Sequence, residues 1–206
     1  YRLGVGDAIQ VVLTGQVEQA YAVDVRRDGT VLLPNIGGVP VAGLTLEAAR
    51  GLVRSRAGRA YSGVSEGKTS VDLTVTKLRS NQVRVIGEVE RPGAYQVSGL
   101  STVFHAIARA GGPSARGSFR NIEVRRGGQL IKRVDLYDYL IKGDATSDIR
   151  TEHGDLLFVP PAMRNVTVQG AMRREGIFEL KEKEGFRELM LFAGGLLPTA
   201  ATNRIH

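Results

Sequence analysis

With 206 residues, 42% of them hydrophobic, the chain can bury a substantial core as one domain or two, and no apolar run approaches the ~18 residues of a membrane-spanning helix. It contains no cysteine, which excludes disulfides, thiolate-bound zinc and a thiol nucleophile within these residues. The net charge of +7, from 28 Lys and Arg against 21 Asp and Glu, suits a polyanionic partner, but the basic runs Arg26-Arg27, Arg125-Arg126, Lys132-Arg133 and Arg173-Arg174 are short and lack interleaved aromatics, which argues against nucleic acid.

In chain order, Gly4-Val5-Gly6 reads as a loop, because no further glycine completes a dinucleotide fingerprint. The apolar runs Asp7 to Leu13 and Thr30 to Pro34, bounded by Gly, Asp and Pro, read as strands. Asp28-Gly29 reads as a hairpin turn ahead of the second. "LTLEAARGLVRSRA" sets Leu46, Ala49, Leu52 and Val53 on one helical face, with Thr45 as N-cap and Glu47 where the helix dipole favours a carboxylate. Val71, Leu73 and Val75 then alternate with Asp72, Thr74 and Thr76 as in a half-buried strand, and a first unit is expected to close near Leu78.

The rest of the chain contains a repeat. Displaced by 83 residues, "VRVIGEVERPGAYQV" aligns without a gap on "VTVQGAMRREGIFEL", and the register carries through to Gly111-Gly112 over Gly194-Gly195 and Ile122 over Ile205. Glu175 stands where the first copy has Pro92. Each copy predicts a hairpin turning between Gly87 and Gly93, or Gly170 and Gly176, then a helix. The predicted core face of that helix is Val103, Ala106, Ile107 and Ala110 in the first copy, and Phe186, Leu189, Met190 and Ala193 in the second. The glycine pairs stop both helices, with Pro113 and Pro198 as further stops. "NIEVRR", "QLIKRVDL" and "GDLLFVPP" add three strands behind the first helix, and hairpin, helix, then further strands is a β-grasp-like α+β order.

Nothing in the residues assembles a catalytic constellation. His105, His153 and His206 stand alone, without metal-ligand spacing, and are read as structural. Asp135 and Asp138 are read as turn and surface residues, since sequence proximity does not establish the spacing that glycoside hydrolysis needs. Tryptophan is absent and only six tyrosines occur, so no aromatic platform for tight sugar binding is advertised. Tyr95 and Phe178, equivalent in the repeat, are read as aromatics packed on their helices. No catalytic, cofactor or metal residue is assigned, and the substrate-binding residues are left open.

The motifs "YRLGVGDAIQVVL", "DGTVLLPNIGGVPVAGLTLEAA", "VRVIGEVERPGAYQV", "AIARAGG" and "GDLLFVP", in this order over essentially the whole chain, resemble those of the bacterial polysaccharide export proteins, the outer-membrane lipoproteins of the Wza type. The resemblance implies an α+β, multidomain protein. Residues 1–78 would form an N-terminal polysaccharide export domain, 79–162 a first SLBB (soluble-ligand-binding β-grasp) module and 163–206 a partial second one. It also implies a homo-oligomeric ring at the periplasmic face of the outer membrane, whose lumen conducts capsular or exopolysaccharide without bond chemistry, and an inner-membrane polysaccharide co-polymerase as partner. A lipidated cysteine and a C-terminal amphipathic helix, expected in the family, are not among these residues, so the chain is expected to be part of a longer protein. A periplasmic glycan-binding adaptor that uses the SLBB modules without forming a channel is the alternative.

Overall fold

The computed structural model describes residues 1–200, so the positions of Ile205 and His206 lie outside the described residues. The chain divides into two compact units, Tyr1–Asn81 with Ser98–Leu100, and Gln82–Val97 with the residues from Ser101 on.

In the first unit, β1 (Ala8–Gly15) is the centre of a three-stranded antiparallel sheet, flanked by β2 (Gln19–Asp24) and, after β3 (Thr30–Leu33), β4 (Gly37–Pro40), α1 (Leu46–Ala60) and the short α2 (Ser62–Ser65), by β5 (Thr69–Lys77). Alternation along β1 and β5 turns Ile9, Val11, Leu13, Val71 and Leu73 into the core, where Val31, Leu33 and Val39 from the β3–β4 pair and Ala49, Val53 and Ala57 from α1 meet them. Side chains of this size each gain about 1.5–3 kcal/mol by leaving water. Thr45 caps α1 by accepting a hydrogen bond from the Ala48 N–H at 3.2 Å.

One feature departs from the linear reading. Asp28 and Gly29 do make a turn, with Asp28 Oδ1 accepting from the Thr30 N–H at 2.9 Å, but the strands on either side part company: β2 pairs with β1, and β3 with β4. The reason is that Val25 donates its N–H to the Asp7 carbonyl at 2.8 Å, which holds the end of β2 against β1. The opening loop closes on Asp7, which is fully buried and accepts from the N–H groups of Gly4 and Arg79, both at 2.7 Å, while the Arg79 guanidinium pairs with it at 3.3 Å. Gly4-Val5-Gly6 is therefore a loop folded around a carboxylate.

In the second unit, β6 (Ser80–Gly87) and β7 (Gly93–Ser98) precede α3 (Val103–Arg109), and β8 (Ile122–Arg126), β9 (Gln129–Val134), α4 (Leu136–Leu140) and β10 (Leu156–Val159) follow it. The five strands form one mixed sheet in the order β7-β6-β10-β8-β9, with β10 parallel to β6 and antiparallel to β8. Val103, Ala106, Ile107 and Ala110 of the α3 segment are all buried against Val83, Val85, Ile122, Val124, Leu157 and Val159. Together the elements make an α+β fold. Gly87 sits at φ +91, and a Cβ there would lie 2.2 Å from the Val159 carbonyl oxygen, so only glycine admits the close approach of β10.

The repeat resumes with β11 (Asn165–Val168), β12 (Gly176–Glu179) and α5 (Phe186–Phe192). Backbone hydrogen bonds recur at the same displacement: Arg91 to Ala110 and Arg174 to Ala193, both 2.9 Å; Gly112 to Ile107 at 3.0 Å and Gly195 to Met190 at 2.9 Å. The last two, on glycines at φ +88 and +84, end each helix by the same left-handed stop. Glu175 adapts to its place by accepting the Gly170 N–H at 2.7 Å.

Burial does not recur. Phe186, predicted on the core face of α5, is 58% exposed, and Met190 and Leu189 are only half-buried, whereas Phe192 and Ala193 are buried. The expectation that Met190 is buried like Ile107 is corrected accordingly. Among the described residues α5 has only the two strands β11 and β12 of its own copy to cover it, whereas α3 has a five-stranded sheet.

Candidate functional site

The two copies of the repeat meet around one side chain, Arg120, whose surface is 2% exposed. The backbone turn that delivers it is held by Ser118, whose hydroxyl accepts the N–H groups of Arg120 (3.1 Å) and Asn121 (2.9 Å). From there the guanidinium donates to Asp135 through Nε and Nη2 at 3.1–3.4 Å, to the Glu179 carbonyl through Nη1 at 3.1 Å, and to both carboxylate oxygens of Glu184, one of them at 2.8 Å. Its Cζ lies over the rings of Tyr137 and Phe192, 4.9 Å from each centroid. Lysine could not replace it, because only the planar fork, with five N–H donors, reaches two carboxylates and a carbonyl at once while keeping its charge over the rings.

The partners come from both copies. Asp135 caps α4 by accepting from the Tyr137 N–H at 2.9 Å and also pairs with Lys181 at 2.7 Å. Glu179, on β12, accepts from the Ser118 hydroxyl at 2.8 Å and the Phe119 N–H at 2.9 Å, while its own N–H donates to the Tyr137 hydroxyl at 3.0 Å. The rings of Tyr137 and Phe192 meet edge to face at 5.1 Å. Burial works against the charge on Arg120, but the hydrogen bonds it donates to Glu184 and Asp135 outweigh it and hold its pKa above the ordinary arginine value. Burial likewise opposes ionisation of Glu184, yet Arg120 and the Lys181 N–H hold its carboxyl below the usual range. Burial pushes the Tyr137 hydroxyl up.

Beside this junction lies an open cleft of about 280 Å³, lined by Phe119, Tyr137, Leu140, Ile141, Ile177 and Phe178, with Arg174 completing the lining. Its chemistry is that of an apolar floor with one cation: it can hold a group, and it presents no nucleophile with an adjoining base.

The residues singled out in the sequence fall elsewhere. His105 occupies the first turn of α3, where Nδ1 lies 2.7 Å from the Thr102 hydroxyl and 3.4 Å from its N–H, completing a reciprocal cap. His153 Nδ1 accepts from the Gln82 N–H at 3.3 Å. Among the described residues no three His, Cys, Asp or Glu side chains gather as a metal would require. Asp138 pairs with Lys142 one turn along at 2.7 Å, but Asp135 corrects the surface reading: its side chain is 8% exposed, because Arg120 and Lys181 compensate its burial. Tyr95 packs on the core that α3 shares with the five-stranded sheet, and Phe178 on the Tyr137–Leu180–Phe192 cluster. Sequence reading missed α4, although an Asp N-cap followed by Leu136, Tyr137 and Leu140 carries the signal. It had no signal for Arg120, whose carboxylate partners lie 15 and 64 positions away.

Residues 1–76 match the family described as polysaccharide biosynthesis/export protein, and residues 82–134 and 165–206 match the SLBB domain. The second pair of ranges follows the two copies of the repeat. Two curated relatives, both polysialic acid transport protein KpsD of Escherichia coli, are 32% and 31% identical over 183 residues, which cover 88% of this chain and 32% of each relative. The chain thus spans about a third of the length of those relatives. An export domain followed by SLBB domains, in one chain and in that order, makes this protein a member of the polysaccharide export family.

Proposed function

We propose that the chain is part of a homo-oligomeric conduit that passes capsular or exopolysaccharide across the cell envelope at the periplasmic face of the outer membrane, making and breaking no bond. The observation that carries the reading is the succession of export and SLBB domains along the chain, shared with relatives named for the transport of polysialic acid. The Arg120 junction supports it, because a wall that a polymer slides past needs stiff modules, and a buried, fully hydrogen-bonded ion network joins two repeats without a hinge. No helix among the described residues is long and apolar enough to cross a membrane, and contact with the outer membrane falls in this reading to other parts of the protein. An inner-membrane polysaccharide co-polymerase is the partner that would feed the conduit.

The test combines sedimentation of the full-length protein in mild detergent with surface-polysaccharide measurement in a strain lacking the gene. A discrete large oligomer and loss of surface polymer on deletion are expected. A strictly monomeric protein at every concentration and salt tested, or undiminished export in the deletion strain, overturns the conduit. The apolar cleft with Arg174 favours one second reading, a glycan-binding adaptor, which a monomer that binds oligosaccharide would establish.

A further inference from the structure

Of the basic runs in the sequence, Arg125-Arg126 and Arg133 are neutralised in the fold. Arg125 and Arg133 share Glu123, at 2.6 and 3.1 Å, and Arg126 pairs with Asp155 and Glu152, at 2.8 and 2.6 Å. Three arginines without an acidic partner among the described residues lie together on α1, the longest of the described helices. Its apolar side, Ala49, Val53 and Ala57, is buried in the first unit's core, while Arg50, Gly51, Arg54, Ser55, Arg56 and Arg59 are exposed. Arg50 is paired with Asp72 at 3.1 Å, but Arg54, Arg56 and Arg59 make no ion pair or side-chain hydrogen bond among the described residues, and Glu47, in the first turn, is the helix's one acidic residue.

Helical geometry arranges these residues as a track. At 100° per residue, Arg50 and Arg54 lie along one flank of the outward face and Arg56 and Arg59 along the other, with Gly51 and Ser55 between them. The floor is open: a Cβ at Gly51 would meet no atom within 4 Å. Arg54 and Arg59 are separated by about 7.5 Å along the axis.

We propose that this face of α1 is a binding track for an acidic polysaccharide, whose carboxylates lie between the two rows of guanidinium groups while its backbone rests over Gly51 and Ser55. The choice of a polysaccharide partner rests on the export reading; the choice of an acidic one rests on the unpaired arginines. The face has no exposed Trp, Phe or Leu to insert among acyl chains, as a membrane-surface helix would have. Nor does it carry aromatic rings on which bases could stack. Weak, replaceable guanidinium–carboxylate contacts in water suit a polymer that must move on.

Binding of polygalacturonate to the full-length protein in mild detergent, with neutral dextran as comparator, tests the track. Binding to polygalacturonate alone, weakening as salt rises, is expected. The Arg54→Gln/Arg56→Gln/Arg59→Gln variant keeps helix propensity and should bind roughly tenfold more weakly, as loss of three exposed pairs implies. Gly51→Glu, which sets a carboxylate on the open floor, should also weaken binding, whereas Arg26→Gln/Arg27→Gln should change it by less than about twofold. Unchanged affinity in the triple variant overturns the track. So does an equal loss in the Arg26/Arg27 control, binding by the wild type to phosphatidylglycerol vesicles in place of the polymer, or a triple variant that changes oligomer mass and not affinity. The conduit fails separately, through a monomeric protein or undiminished export in the deletion strain.

Discussion

The two copies of the repeat share a backbone plan and differ in what covers it. Arg91 and Arg174 make the same hydrogen bond to the end of the following helix, and Gly112 and Gly195 stop that helix in the same way. Yet Ile107 is 1% exposed while Met190, its counterpart, is half-buried, and Val103 is fully buried where Phe186 is 58% exposed. Local hydrogen bonding depends on residues within a turn or two of one another, and the repeat preserves them. Burial depends on strands contributed from elsewhere, which the first helix has and the second, among the described residues, lacks. The second copy compensates by turning Phe192 and Glu184 toward Arg120 and packing Phe192 with Tyr137 of α4.

The largest way to break that comparison is at the shared residue. Arg120→Met should cost about 3–5 kcal/mol, because Asp135 and Glu184 lose their compensating charge. Urea unfolding would measure the loss, and hydrogen exchange should locate it in β11, β12 and α5, with the first unit unaffected. Unchanged protection in the second copy would mean that it stands without the first.

Ile107→Ala should cost about 2–5 kcal/mol and Met190→Ala less than about 1 kcal/mol, since truncation is expensive only where neighbours enclose the cavity. Equal losses would show that both helices are equally covered. Glycines sharpen the same contrast on a smaller scale. Gly87→Ala meets both a positive φ and the Val159 carbonyl at 2.2 Å, whereas Gly170→Ala at φ +103 meets nothing within 4 Å, so the first should exceed the second by about 1 kcal/mol or more.

Acid should loosen the second copy. Burial opposes the Glu184 charge, but Arg120 holds the folded carboxyl below its ordinary value, so the unfolded chain binds more protons in this range. The stability this contributes is present above the ordinary glutamate pKa and disappears as pH falls through the folded one. Protection of the α5 amides, taken relative to the intrinsic exchange rate at each pH, should therefore fall on acidification, and Glu184→Gln should flatten the dependence; an unaltered pH profile in that variant would assign the effect to another group. The smallest effect is expected at His105→Gln, below about 0.5 kcal/mol with export unchanged, because glutamine also serves at the third position of a capping box. Lost export in a well-folded His105→Gln protein would give that residue a role beyond the cap.

Much of the architecture was legible in the chain because it is encoded by neighbours. An apolar run marked β1 and alternation marked β5, Thr45 marked the start of α1, the displacement of 83 residues marked both hairpin–helix units, and the glycine pairs marked their ends. The short β2, where alanines interleave Tyr21 and Val23, and the glycine-led β4 escaped, since neither alternates apolar with polar residues in the way that distinguishes a strand from a loop. Density of charge misled: the adjacent pair Arg125-Arg126 is neutralised by Glu123, Glu152 and Asp155, while the spaced Arg54, Arg56 and Arg59 of α1 have no such partner among the described residues.

The sequence by itself determined the order of the domains, the repeat and the local stops and caps, since each rests on periodicity or on a residue's own backbone preference. Only the tertiary structure decided that Arg120 would be buried, that Asp135 would leave the surface with it, and that Phe186 would stay exposed. Those outcomes depend on partners 15 to 64 positions apart and on which strands reach a given helix face. A charge is stable in the interior only when its compensating groups arrive together, and no window of sequence contains that arrival.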